Sequence, residues 1–193
     1  MVLIVAITGA SGAIYGVTLL KVLSELKEVE THLIISRDGE TTIKYETEWS
    51  IEQVKSLADY CYDFYDVGAQ LASGSFRRDG TVIAPCTVKT MSALANSYTD
   101  NLISRAGDVT LKERKPLIAV LRETPLHLGH IKNMLRLTEM GAIIFPPVPS
   151  FYSKPRTVDN IVNETVGHIL DLLNIQNDMV QRWGGTGNIR QDV

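Results

Sequence analysis

The chain has 193 residues, of which 45% are hydrophobic, and a formal net charge of −3. That length suits one compact α/β domain with a substantial core and is too short for two ordinary domains. The charge, with no basic block or acidic tail, gives no global field that favours nucleic acid or an anionic membrane. The two cysteines, Cys61 and Cys86, make neither a zinc spacing nor a disulfide framework, which points to the cytoplasm.

The opening MVLIVAITGASGAIYG lacks the charged start of a signal peptide, and its apolar run is too short for one. No apolar stretch approaches the roughly 18 residues of a membrane span. Val2–Ile7 reads instead as a buried parallel strand, apolar on both faces. Ala13–Leu26 follows as an amphipathic helix, with Val17, Leu20 and Leu23 near helical spacing. Thr31–Ser36 reads as a strand and Ile51–Leu57 as a short helix. Thr81–Ala84 is a strand stopped by Pro85, with Val88–Ala95 a helix after it. Pro116–Leu121 is a strand, His127–Glu139 a helix, Ala142–Phe145 a strand stopped by Pro146 and Pro147, and Val158–Leu173 the last long helix. Alternation of this kind predicts a doubly wound, mostly parallel sheet in a three-layer α/β sandwich. The expected organisation is a domain over 1–175 and a polar tail over 176–193 that is disordered or reaches a neighbouring subunit.

Ligands in such folds collect at the carboxyl ends of the strands, and the unusual residues fall there. Thr8-Gly9-Ala10-Ser11-Gly12 closes the first strand, and the helix after it offers N–H donors and a positive dipole end to a phosphate. The turn is not GxGxxG, and Ser36-Arg37 stands where a dinucleotide site expects an acid. A mononucleotide phosphate fits better than NAD, Arg37 leaves NADP open, and a ligand-free turn is the bland alternative. Ala84-Pro85-Cys86-Thr87-Val88-Lys89-Thr90 repeats the design without glycines, where Thr87 or Thr90 caps the helix or binds a ligand. Cys86 reads as a small buried apolar residue, not a nucleophile. Arg122-Glu123 follows the fourth predicted strand, where a cation has more meaning than on a solvated face. Arg105 and Lys112, two helical turns apart, could share a face. His127 and His130 read as helix-surface histidines, short of the convergent ligands a metal needs, and His32 reads as structural.

Taken together, TGASGAIYG (8–16), SGSFRRDGTVIAPCTVKT (73–90), DNLISRAGDVTLKERKPLIAVLRETPL (100–126), NMLRLTEMGAIIFPPVPSFY (133–152) and VDNIVNETVGHILDLL (158–173) resemble the UbiX/Pad flavin prenyltransferases. They cover most of the chain in family order, and RETPL followed by PPVPxFY is highly specific. The resemblance implies a flavodoxin-like subunit of a dodecamer, with active sites formed between subunits. It implies FMN, a dimethylallyl phosphate donor, no metal, and prenylated FMN delivered to a UbiD-type decarboxylase.

By that resemblance Gly9, Ala10 and Ser11 match the first FMN loop, Ser36 a second contact, and Thr87, Val88, Lys89 and Thr90 a third. Arg122 matches a residue contacting FMN at the mouth of the site. Lys112, Tyr152 and the position of His168 match the prenyl-phosphate pocket, to which Arg105 is joined as a substrate cation. Glu46 matches an acid near the flavin, Glu123 an acidic neighbour of the phosphate, and Trp183 a C-terminal aromatic that covers a neighbouring site. The implied reaction joins flavin N5 to the dimethylallyl C1 and flavin C6 to its C3. Glu46, Ser11 or the departed phosphate removes the C6 proton. The family usually carries Arg where this chain has His168, which weakens phosphate binding or admits the diphosphate. Two other readings stay open on the sequence: an FMN- or NADP-dependent oxidoreductase, and a non-catalytic FMN-binding subunit of a decarboxylase complex.

Overall fold

The computed structural model describes residues 1–185; the end of the tail assigned to 176–193 lies outside the described residues. Two compact units form, Met1–Val148 and a second that begins at Pro149.

The first unit holds β1 (Val2–Ile7), α1 (Ala13–Ser24), β2 (Glu30–Ile35), α2 (Arg37–Glu46), α3 (Ile51–Lys55), β3 (Tyr60–Tyr62), β4 (Gly80–Cys86), α4 (Val88–Ala95), α5 (Leu102–Lys112), β5 (Leu117–Leu121), α6 (Leu128–Glu139) and β6 (Ile143–Ile144). The sheet runs β3-β2-β1-β4-β5-β6, and every pairing is parallel. The order reverses between β1 and β4, which opens the ligand crevice of a doubly wound sheet at their carboxyl ends. Side chains alternate between faces along each strand. Ile4, Ala6, Ile34 and Ile83 turn to one face and pack with Met91 and Leu94 of α4, Leu102 and Ala106 of α5 and Leu137 of α6. Ile7 and Ile35 turn to the other, where α1 and α2 lie close enough that a Cβ on Gly16 or Gly39 would strike them. The three-layer sandwich is therefore as expected.

Pro85 does not stop β4. The strand continues to Cys86, and the register with β5 shifts from Ile83↔Ala119 to Cys86↔Leu121. Three residues of β4 thus span two of β5, a bulge, which is where a strand tolerates a residue with no N–H. The bulge turns Cys86 into the same core face as Ile83, and burial pushes its thiol pKa up to about 12, the inert apolar role expected. His32 is buried between Tyr62 and Glu30, bonded to both. His127 caps α6 instead of joining it, accepting from Gly129 N–H.

Most of α6 is not core. Leu137 is its one buried residue, while Leu128, Ile131 and Leu135 are 65%, 52% and 58% exposed. At that spacing they form one apolar stripe.

In the second unit a 3₁₀ turn, Phe151–Ser153, precedes α7 (Val158–Leu172), which opens on a capping box of Thr157 and Asn160. The segment after α7 folds back along it. Asn177 donates to Gly167 O at 3.1 Å, and Arg182 grips Asp171 through two bonds of 2.6 and 2.8 Å. The tail is thus packed on α7 at least as far as Arg182.

Candidate functional site

The crevice is tied together by one hydroxyl. Thr8 Oγ1 donates to Pro85 O at 2.7 Å and accepts from Thr87 N at 3.0 Å, which joins the ends of β1 and β4. Ser36 N donates to Ile7 O, which draws the end of β2 to the same place. Three strand ends, and the helices that follow them, thereby converge.

The N-terminus of α1 is already filled. Glu46, the last residue of α2, accepts from Gly12 N at 2.7 Å and Ala13 N at 3.2 Å. Burial pushes its carboxyl pKa upward, but hydrogen bonds from the Ser11 side chain and these two N–H groups, with the Arg122 charge nearby, hold it below its ordinary value. Ser11, Glu46 and Arg122 are therefore neighbours, as their assignments require, but a phosphate and Glu46 cannot share the same N–H donors. A carboxyl whose folded pKa is depressed stabilises above its unfolded value, and that gain is lost as pH falls through the folded value. Glu46→Ala is expected to cost roughly 0.5 kcal/mol at neutral pH, the low end for a cap because the carboxylate is exposed. The gap to the parent should close as pH falls through the lowered folded value. Urea midpoints at neutral and acid pH measure it, and a gap that persists in acid would show that charge is not its source.

The two other helix starts are open. Ser36 caps α2 by accepting from Gly39 N at 3.0 Å, and Thr87 caps α4 by accepting from Thr90 N at 3.1 Å. The first turn of α2 carries Asp38 and Glu40, which oppose an anion. That of α4 carries no acid and bears Lys89, so its N–H groups and positive end suit a phosphate better. Gly9, Ala10, Ser36, Thr87, Val88, Lys89, Thr90 and Arg122 all lie at this edge of the sheet. Glu123 does too, though its carboxylate turns back to accept from Thr124 N.

Lys112 does not join them within one copy. It ends α5, ahead of β5, whereas Arg122 follows β5, so the two stand at opposite ends of the strand. The predicted common face of Arg105 and Lys112 exists: Arg105 Nε donates to Ala72 O at 3.1 Å, and a Cβ on Gly74 would meet Lys112 Nζ at 2.7 Å. Both cations thus bear on the 72–74 segment. Lys112 is ion-paired with Glu113.

In the second unit Tyr152 and Trp183 meet edge to face with ring centroids 5.6 Å apart, and Tyr152 OH donates to Gln181 O. His168 Nδ1 is 3.9 Å from Asp171, the carboxylate that Arg182 holds. Trp183 is 60% exposed, free to cover an adjoining surface.

Sequence reading missed Thr8, whose bridging role depends on contacts 77 and 79 residues away. It also missed Tyr15, whose ring stands against Gly12. Burial raises the Tyr15 hydroxyl pKa, and the Arg122 charge partly offsets this. An aromatic in the first turn after a Gly/Ser loop was the available signal.

A parallel sheet that gathers hydroxyl-capped helix starts with Arg37 and Arg122 at its switch point has the form of a nucleotide-binding α/β protein. Comparison with known proteins narrows the class. The flavoprotein family model matches residues 1–182. Flavin prenyltransferase UbiX of Escherichia coli K12 is 49% identical over 185 residues, covering 95% of this chain and 98% of the relative. That of Thauera aromatica is 49% identical over 193 residues, covering 100% and 98%. AnUbiX in complex with FMN and dimethylallyl pyrophosphate superposes with a TM-score of 0.93 at 46% identity, covering 95% of this chain and 97% of that one. The dodecameric FMN-dependent UbiX-like decarboxylase of E. coli O157:H7 gives 0.94 at 45%, covering 96% and 100%. The chain belongs to the flavoprotein family and, within it, to the UbiX flavin prenyltransferases.

Proposed function

We propose that this protein transfers the dimethylallyl group of dimethylallyl phosphate to reduced FMN, giving prenylated FMN for a UbiD-type decarboxylase. The whole-length match to flavin prenyltransferases carries the reading, and the crevice fits the flavin. Its Thr87 and Ser36 hydroxyls, the unfilled start of α4 and Arg122 supply donors for a phosphate and for carbonyl oxygens. With the α1 start taken by Glu46, we assign the FMN phosphate to the α4 side, and Gly9, Ala10 and Ser11 to the flavin itself. Reduced FMN, when bound, supplies the nucleophilic ring atoms. The protein orients them and gives Glu46, with Ser11 beside it, as acceptor for the proton that must leave. Cations stabilise the charge that builds on the departing phosphate. We assign Lys112, Arg105, Tyr152 and His168 to that phosphate, and Glu123 to its margin.

Because Lys112 and Arg105 stand at the sheet end away from the flavin loops, this reading needs a second copy to bring them to the site. The α6 stripe of Leu128, Ile131 and Leu135 is an apolar surface that assembly would cover, and a dodecamer with Trp183 closing over a neighbour's site is the arrangement we infer. Both cysteines are free, in keeping with the cytoplasmic setting. No helix among the described residues is long and apolar enough to cross a membrane. Mass spectrometry of the flavin after anaerobic incubation with reduced FMN and dimethylallyl phosphate tests the reaction, with one added C5 unit expected. Unmodified flavin with consumption of NADPH would favour the oxidoreductase reading instead, and unmodified flavin without it a carrier.

His168 gives a charge signature. Arginine carries a permanent charge and a planar fork of donors suited to phosphate, which histidine lacks. His168→Arg should therefore tighten donor binding several-fold while FMN affinity stays parental. The donor Kd of both proteins is the measurement. Unchanged donor affinity in His168→Arg would exclude position 168 from phosphate binding.

A further inference from the structure

Among the described residues, a buried guanidinium stands without a carboxylate partner at the end of the sheet away from the crevice. Arg78, just before β4, is 3% exposed. Its NH1 donates to Ala106 O at 3.2 Å and its NH2 to Ser73 O at 2.7 Å. The guanidinium carbon lies 5.4 Å from the centroid of the Phe76 ring, and Nε has no partner among the described residues. Buried charges are ordinarily paired. Burial lowers the pKa of Arg78, Glu113 raises it, and Arg105 lowers it further; Glu113 is itself engaged by Lys112.

What Arg78 holds is a turn of two serines and a glycine. Ser73 and Ser75 hydroxyls are 2.8 Å apart, and Ser75 N donates to Ser73 Oγ. Arg105 holds the preceding carbonyl, Ala72 O, and the Gly74 backbone lies against the Glu113 carboxylate and Lys112 Nζ, which a Cβ there would meet at 2.6 and 2.7 Å. Three cations thus bear on residues 72–74. Glu113, Asp79 and Asp108, the last paired with Arg105, are the opposing acids. A cavity of about 310 Å³ opens beside them, its wall formed by Gly74 and Phe76, the cations Arg77, Arg78 and Lys115, and the acids Asp79 and Glu113. Serine hydroxyls, a bare glycine backbone, an ammonium and a guanidinium make a donor set for a phosphate.

We propose that Arg78 is a positioning residue for the prenyl-donor phosphate: by locking the Ser73–Ser75 turn to α5 it builds, with Arg105 and Lys112, a single anion site. The proposal rests on the prenyltransferase reading. Both outer nitrogens of Arg78 are spent on carbonyls, so it acts through the turn and not by touching the donor. Arg78→Met strands no buried counter-ion among the described residues, which makes it an informative variant. In the assembled full-length protein it should raise KM for dimethylallyl phosphate about tenfold, as expected for loosening one charge-assisted contact. Here kcat should stay within about twofold and FMN affinity should not move. Arg78→Lys, which keeps the charge and one donor, should recover part of the loss. Inorganic phosphate, titrated by calorimetry without flavin, should weaken by the same factor in Arg78→Met. A parental KM in Arg78→Met would overturn the proposal, as would kcat and FMN affinity falling together at constant KM. Should Arg78→Met fail to assemble, Arg78→Lys decides on the same criterion. If the parent transfers no prenyl group, the function reading fails, and the phosphate titration still judges Arg78 independently.

Discussion

Lys112→Ala should abolish prenyl transfer, by about 10³-fold or more, while FMN binds with nearly parental affinity. The split follows from geometry. The proposed function places FMN at the carboxyl ends of β1, β2 and β4, and Lys112 is not there. It ends α5, and β5 then runs from Leu117 to Leu121 before Arg122 appears. At about 3.3 Å per residue that strand alone puts some 16 Å between the two ends. Lys112 can therefore lose its ammonium without disturbing the flavin loops, while the leaving phosphate loses a cation whose value grows in a water-excluded site. Fluorescence titration of FMN and product formation under donor saturation measure the two halves. Lost flavin affinity in Lys112→Ala would refute the separation.

The same distance makes a sharper demand. If each site takes Lys112 from one copy and Arg122 from another, inactive Lys112→Ala and Arg122→Ala chains should restore activity when co-assembled. With equal random mixing half the sites receive an intact Lys112 and half an intact Arg122, so about a quarter receive both. Were both groups supplied by the same chain, no hybrid site could hold the pair, and co-assembled protein would stay inactive.

How far the sequence discloses such a site depends on separation along the chain. β1 and β5 are legible because all or nearly all of their residues are buried, as parallel strands covered on both faces require. The flavin loops are legible because glycine, serine and threonine cluster at strand ends. α2 escapes pattern reading: RDGETTIKYE buries only Gly39 and Ile43, so no apolar stripe marks it. α5 is only partly legible: Leu102, Ile103 and Val109 are buried apolar residues, but Ser104, Ala106, Gly107 and Thr110 are buried beside them, and such small or polar residues do not register as core. β3 is three residues at a sheet edge. The Glu46 contact to Gly12 crosses 34 residues, and the opposition of Lys112 to Arg122 depends on which way α5 runs. Neither is a property of any local window. The family resemblance named the candidates; only the fold shows that Lys112 and Arg122 stand at opposite ends of β5.

Gly9→Ala should reduce FMN affinity by about 5- to 150-fold while the core stays folded. A Cβ at Gly9 would lie 2.3 Å from Asp38 Cβ and 3.1 Å from Asp38 C. Contacts that short cannot be relieved by rotating a side chain tip, because they fall on the backbone of α2 and the first carbon beyond it. One of the two loops must move. Gly9 opens the turn after β1, and Asp38 is in the first turn of the helix that Ser36 caps, so the displaced parts are two of the three segments to which the proposed function assigns the flavin. Thr42 Oγ1, which reaches Gly9 O at 3.2 Å, ties the same pair together and would be strained with them. Overpacking of this kind costs about 1–3 kcal/mol, and if the displacement is borne by the binding loops the cost appears as lost affinity, about tenfold for each 1.4 kcal/mol. Gly68→Ala is the control: its added carbon would meet only Asp66 Oδ1 at 3.4 Å, an ordinary contact. The measurements are FMN Kd by fluorescence quenching and the far-ultraviolet circular dichroism of each variant. Parental FMN affinity in Gly9→Ala would mean that the loops around residues 9 and 38 yield freely, and that the flavin is not held by their close approach.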